Sequence, residues 1–163
     1  MQGTVFPKRK GHTEQNKKRN VRSEIVCIWF SKEEYLRCQL LRADAVFRPD
    51  IDVIYISGGN TFGTMKLIRE AGFDKAIVDY VNKGAVYVGG SAGAHIATAD
   101  ISHIVKYDED TCGLIDFSGL GLFDGILICH YDEDRKQHFE ELKASGKYAV
   151  IALKDNESII IKD

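Results

Sequence analysis

The most constraining feature of this chain is a repeated pairing, in which a short apolar run ends in a glycine turn and a segment of helical periodicity follows at once. Val53-Ile54-Tyr55-Ile56 leads into Ser57-Gly58-Gly59-Asn60, after which Phe62, Met65, Leu67 and Ile68 recur at helical spacing as far as Gly72. Ala85-Val86-Tyr87-Val88 leads into Gly89-Gly90-Ser91-Ala92-Gly93-Ala94, which turns into another predicted helix. Such short, continuous apolar runs suit strands covered on both faces of a parallel sheet. Strands alternating with helices imply βαβ units. The expected fold is therefore α/β, a mostly parallel sheet with helices on both faces.

The remaining segments extend the pattern. Ile25-Val26-Cys27-Ile28-Trp29-Phe30 reads as a buried strand, and Ser31 with Glu34 forms a capping box for a helix reaching about Ala45, before Pro49. A further helix is predicted over Asp74 to Asn82, ending at Gly84. Later strands are expected at Gly125–Cys129, Tyr148–Leu153 and Ser158–Ile161, with a helix from about Glu133 to Ala144.

Length and charge bound what such a fold can do. The 163 residues suit one domain that needs no metal or disulfide staple. Residues 1–23 stand apart: Lys8, Arg9, Lys10, Lys17, Lys18, Arg19 and Arg22 face the single acid Glu14, with almost no apolar period, as in a mobile, solvated tail. Residues 24–163 form the expected α/β domain. A net charge of −2 makes no global case for a nucleic acid or an anionic membrane as partner. No apolar run approaches the roughly 20 residues of a membrane-spanning helix. Cys27, Cys38, Cys112 and Cys129 form no CxxC pair, so neither a zinc site nor a dithiol is suggested. Free thiols and the lack of a secretion signal point to the cytoplasm. No cofactor or metal is expected.

Gly89-Gly90-Ser91-Ala92-Gly93 fits G-x-S-x-G in the setting that gives the pattern meaning, after an apolar strand and before a helix. A sharp strand-to-helix turn presents the hydroxyl beside free N–H groups of the helix terminus, where developing negative charge is favoured. Such a serine needs a base. His12 lies in the tail, His95 and His103 follow Ser91 in a direction leading away from the turn, and His138 sits on a charged, solvated helix face. His130 ends the apolar run Ile126-Leu127-Ile128-Cys129, at the same sheet edge as Ser91. An acid must orient the imidazole. Asp155, after the Tyr148–Leu153 strand, or the cluster Asp108, Glu109 and Asp110 can supply it, and spacing leaves both open. The Gly58-Gly59 turn brings N–H groups that can bind an oxyanion together with that of Ala92. Read alone, it is first an ordinary strand-to-helix turn capped by Asn60 or Thr61.

The run Ile54 to Phe62, with Tyr87 to Ala94 at the same separation, resembles the two signature blocks of the peptidase E family, peptidase family S51. Ile128-Cys129-His130-Tyr131-Asp132 is similar to the block bearing that family's histidine. The likeness spans about Asp52 to Ile161. It implies a class I glutamine amidotransferase-like fold and hydrolysis of small peptides, those beginning with aspartate in peptidase E. Ser91 would attack, His130 would shuttle the proton, and the N–H groups of Gly59 and Ala92 would hold the oxyanion. The family's acid has been placed at two positions: one matches Asp155, which is favoured, and the other falls near Lys106, two residues from Asp108. Arg135 occupies a helix comparable to the one whose arginine reads the substrate aspartate, after a shorter loop, and Asn60 is a further candidate for substrate contact. The region before Asp52 departs from the family and is expected to lack part of its amino-terminal structure. An exposed sheet edge there would favour a homodimer. Two other readings compete: an amidotransferase-like binding domain that has lost activity, and an esterase or amidase using the same residues.

Overall fold

A computed structural model describes residues 27–30 and 35–38 as backbone and residues 52–162 in full. The basic tail, the Ser31–Glu34 capping box and Pro49 lie outside these residues. The described elements are β1 (Cys27–Phe30), β2 (Tyr35–Cys38), β3 (Val53–Ile56), α1 (Thr61–Glu70), α2 (Phe73–Asn82), β4 (Val86–Gly89), α3 (Ala92–Ile96), a 3₁₀ turn (Ser102–Lys106), β5 (Ile126–Ile128), α4 (Glu133–Ser145) and β6 (Val150–Ala152).

The strands form two sheets, of order β2-β1-β3-β4 and β5-β6. β3 and β4 run parallel with Ile56 opposite Gly89, so the glycine turns that follow them emerge side by side. β5 and β6 are also parallel, with Ile128 opposite Ala152. The first strand departs from expectation: β1 pairs antiparallel with both β2 and β3. The helix expected from Ser31 to about Ala45 is replaced, over Tyr35–Cys38, by β2. Phe30 lies opposite Tyr35, so the two strands make a hairpin, and cross-strand pairing outweighs the local capping signal. The strand expected at Ser158–Ile161 does not form either. A turn closed by Glu157 N–H donating to Lys154 O precedes it, and Ile160 is 80% exposed with no neighbouring strand among the described residues.

The helices start where the sequence supplies acceptors for free N–H groups. The Asn60 side chain accepts from Gly63 N and opens α1, and the Asp132 side chain accepts from Arg135 N and opens α4. Left-handed Gly72 separates α1 from α2, a conformation glycine adopts at little cost. Ile54 and Ile56 of β3 point into a core that also takes Phe62, Met65 and Ile68 of α1 and Ile77 of α2. Each such burial stabilises by about 1.5–3 kcal/mol. β4 turns Val86 and Val88 outward, 56% and 42% exposed. The short α3 packs against β3, β4, β5 and α1, which makes it the joint between the two sheets. No helix among the described residues is long and apolar enough to cross a membrane.

Candidate active site

Ser91 sits between β4 and α3 at φ 51 and ψ −111, a conformation costing a non-glycine residue about 1–3 kcal/mol. Its neighbours make the turn possible. Gly90 N–H donates to Ile56 O at 2.9 Å, fastening the turn to the end of β3. A Cβ on Gly93 would lie 2.1 Å from Ile56 O, and one on Gly89 would lie 2.5 Å from Gly93 O. The Tyr87 hydroxyl donates to Gly93 O at 2.6 Å and braces the same turn.

The strained turn aims the Ser91 hydroxyl at the end of β5. Ser91 Oγ lies 2.8 Å from His130 Nε2, and His130 Nδ1 lies 2.5 Å from Asp155 Oδ1. With Nδ1–H donating to the Asp155 carboxylate, Nε2 is left as acceptor for the serine hydroxyl. His130 also has a positive φ, 54. Its side chain is 47% exposed and that of Asp155 81%, so the chain of hydrogen bonds opens to solvent. Gly58 lies against the serine: a Cβ there would stand 3.3 Å from Ser91 Cβ. Gly59 has φ 155, a backbone that side chains rarely adopt. Among the described residues no acceptor takes the N–H of Gly59 or of Ala92. Free N–H groups beside a nucleophile are the means by which an oxyanion is stabilised.

The other candidate residues lie elsewhere. Asp108 does not meet His130; its Oδ2 accepts from Thr61 N–H at 2.7 Å, at the start of α1. Asp110 accepts from the N–H groups of Cys112 and Leu114, and Glu109 is exposed. Asn60 caps α1 and donates from Nδ2 to Glu109 O at 2.9 Å. Arg135 is half-buried: its guanidinium stacks on Tyr107, 4.0 Å from the ring centroid, and Nη1 donates to Cys129 O at 2.5 Å. Lys106, near the family's other acid position, pairs with Glu141 at 2.6 Å. Burial pushes the Cys129 thiol up to about 11, so the cysteine beside His130 is a neutral thiol at physiological pH.

Two histidines are placed differently from the sequence expectation. His138 is buried, not solvated, and its Nδ1 lies 2.6 Å from the Tyr107 hydroxyl. Burial, followed by the charge of Lys106, lowers its pKa to about 4. His95 does not lead away from the turn. It is 4% exposed, and its Nε2 accepts from Cys129 N–H at 3.3 Å, one residue before His130. The signal was present in the spacing, because a residue four positions after Ser91 on a helix returns to the same face.

Comparison with known proteins agrees with the resemblance. A family model described as peptidase family S51 matches residues 40–163. An uncharacterized peptidase of Listeria monocytogenes is 29% identical over 116 residues, which are 68% of this chain and 57% of that protein. Peptidase E of Escherichia coli O1:K1 is 44% identical over 100 residues, 56% of this chain and 43% of the relative. A crystal structure of a Listeria monocytogenes protein, named as a candidate peptidase E, superimposes with a TM-score of 0.56 at 29% identity, covering 64% of this chain and 52% of that one. The chain thus spans about half the length of the curated relatives it matches.

Proposed function

Because this chain belongs to peptidase family S51, we propose that it is a serine-type hydrolase that cleaves small peptides through an acyl-enzyme on Ser91. The observation that carries this reading is the hydrogen-bonded series from Ser91 Oγ to His130 Nε2, at 2.8 Å, and from His130 Nδ1 to Asp155. In the proposed reaction His130 removes the hydroxyl proton as Ser91 attacks the scissile carbonyl. Asp155 holds the imidazole in the reactive tautomer and stabilises its charged form. The N–H groups of Gly59 and Ala92 take the tetrahedral oxyanion, and losing one such donor typically slows acyl transfer about 100- to 1,000-fold. His130 then protonates the leaving amine, and water, activated by the same imidazole, releases the acid product.

The rest of the proposal follows the same family likeness. The fold is of the class I glutamine amidotransferase type, with residues 24–163 as one hydrolytic domain acting in the cytoplasm as a monomer or homodimer. An amino-terminal aspartate is the first substrate side chain to test. Arg135, whose guanidinium is engaged within the domain, is not its reader in this proposal. The test is hydrolysis of a dipeptide panel, half beginning with aspartate, by folded protein and by Ser91→Ala. Cleavage that Ser91→Ala abolishes while remaining folded is the expected result. Undiminished turnover in Ser91→Ala would sink the assignment, and a folded wild type that cleaves nothing would favour a binding domain that has lost catalysis.

A further inference from the structure

His130 must hold an uncommon backbone conformation, φ 54, while keeping its ring 2.8 Å from the serine hydroxyl. A non-glycine residue stays in that region only where its surroundings over-determine it. β5 ends at Ile128, and beyond it the backbone is tied to the neighbouring strand's end only at Tyr131, whose N–H donates to Leu153 O at 3.0 Å. The residue before the histidine, Cys129, has both backbone polar groups taken by side chains. His95 Nε2 accepts its N–H at 3.3 Å, and Arg135 Nη1 donates to its carbonyl.

Both side chains are themselves fixed. Because His95 Nε2 accepts, its proton resides on Nδ1, which donates to Thr61 Oγ1 at 3.4 Å. The buried ring also packs edge-on against His103, at 6.3 Å between centroids. The Arg135 guanidinium lies over the Tyr107 ring, whose hydroxyl is bonded to His138. His95 has a second connection. It belongs to α3, and its own N–H donates to Ser91 O at 3.0 Å. One residue therefore bridges the helix that presents the serine and the strand that presents the base.

We propose that His95 and Arg135 are positioning residues for the base: they clamp the peptide groups on either side of Cys129 and so fix the distance from His130 to Ser91. The clamp rests on the reading of Ser91 and His130 as nucleophile and base. Neither residue touches the reacting atoms. His95 must be neutral to accept, and burial, with the neighbouring charge of His103 second, lowers its pKa to about 3, so it remains so at physiological pH. A clamp of this kind sets the rate of the chemical step and leaves ligand affinity alone.

The experiment is the concentration dependence of Ser91 labelling by a fluorophosphonate, which separates the maximal rate from the half-saturating concentration without needing the substrate. His95→Phe keeps the ring but removes the acceptor. It is expected to lower the maximal rate about 100-fold, the loss typical of a misplacement of about 1 Å, with half-saturation unchanged. His95→Gln returns an acceptor near the Nε2 position and is expected to recover most of that rate, which a purely structural role for the ring would not give. Arg135→Met is expected to lose about 10- to 100-fold; being half-buried, this site keeps the test decisive should His95→Phe not fold. Labelling of folded His95→Phe or folded Arg135→Met at the wild-type rate would overturn the clamp, as would equal losses in His95→Phe and His95→Gln. A folded wild type that remains unlabelled would overturn the nucleophile reading itself, and the clamp with it.

Discussion

Gly93→Ala is the sharpest steric test of the turn that presents Ser91. The added Cβ would stand 2.1 Å from Ile56 O, 2.8 Å from Ile56 C and 3.1 Å from Ile56 Cβ, whereas ordinary contact begins near 3.4 Å. Neither partner can yield alone. Ile56 O is already bonded to Gly90 N–H, and Ile56 is opposite Gly89 in the parallel register. The helix carrying Gly93 must therefore move by about 1 Å from β3, an overpacking that typically costs about 1–3 kcal/mol. Replacing a helical glycine by alanine returns about 0.5–1 kcal/mol through chain entropy. The expected net loss is about 1 kcal/mol and at most about 2.5 kcal/mol, with a fall in Tm of about 2–4 °C for each kcal/mol. Because α3 also sets the serine, reactivity should fall further than stability, by about 100-fold for a shift of this size. Gly90→Ala in the same turn is the control, since its Cβ would meet only the Tyr55 hydroxyl at 3.6 Å; it should stay within about 0.5 kcal/mol of wild type. Urea denaturation and fluorophosphonate labelling of both variants provide the readouts. A Gly93→Ala protein as stable and as reactive as Gly90→Ala would refute the steric account.

The remaining predictions concern the acid and the buried histidines. Asp155→Asn, assayed by steady-state turnover, should lower kcat by about 10- to 100-fold, at or below the low end of acid–base contributions because this side chain is 81% exposed and water partly replaces it. Asp108→Asn should leave kcat near wild type and lower stability by no more than about 1 kcal/mol, the scale of a helix cap, seen in urea denaturation. Acid should destabilise the fold through His95. Its pKa is lowered from 6.5 to about 3 by burial first, then by the charges of His103, Arg135 and His130 against the opposing Asp108. The unfolded chain binds a proton there that the native state does not, so this stability is complete above pH 6.5 and is lost as pH falls toward 3. His103, also lowered by burial, acts with the same sign. Urea midpoints at neutral and acidic pH should show the fall, and His95→Gln should flatten it; an unchanged slope in that variant would contradict the assignment.

Much of this site was legible because its parts are local. Val53–Ile56 and Ala85–Val88 are apolar runs bounded by glycine, and the turns after them need residues without side chains at positions 89 and 93, so the pattern and its steric cause are adjacent in the chain. His130 was legible from its place after Ile126–Cys129. Spacing alone left the acid open, because Asp108 and Asp155 both follow apolar segments; the family resemblance favoured Asp155, and the packing of α1 shows the Asp108 carboxylate taken up by Thr61 N–H. The Tyr35–Cys38 strand was hidden by a capping signal that pairing with β1 overrides. At Ser158–Ile161 the apolar pattern is present, but the segment pairs with no described strand. His138 looked solvated because charged residues surround it in sequence, while the helix turns that one side chain toward Tyr107. His95 stays at the site although the chain direction leads away from it, because a five-residue helix carries it only one turn from Ser91.

The central claim is most directly tested by finding where a fluorophosphonate attaches to the folded wild-type chain, using peptide mass spectrometry with Ser91→Ala alongside. The account predicts a single adduct on the peptide containing Gly89-Gly90-Ser91-Ala92-Gly93, absent from Ser91→Ala. A folded protein that takes no adduct, or one whose adduct persists when Ser91 is alanine, would contradict it.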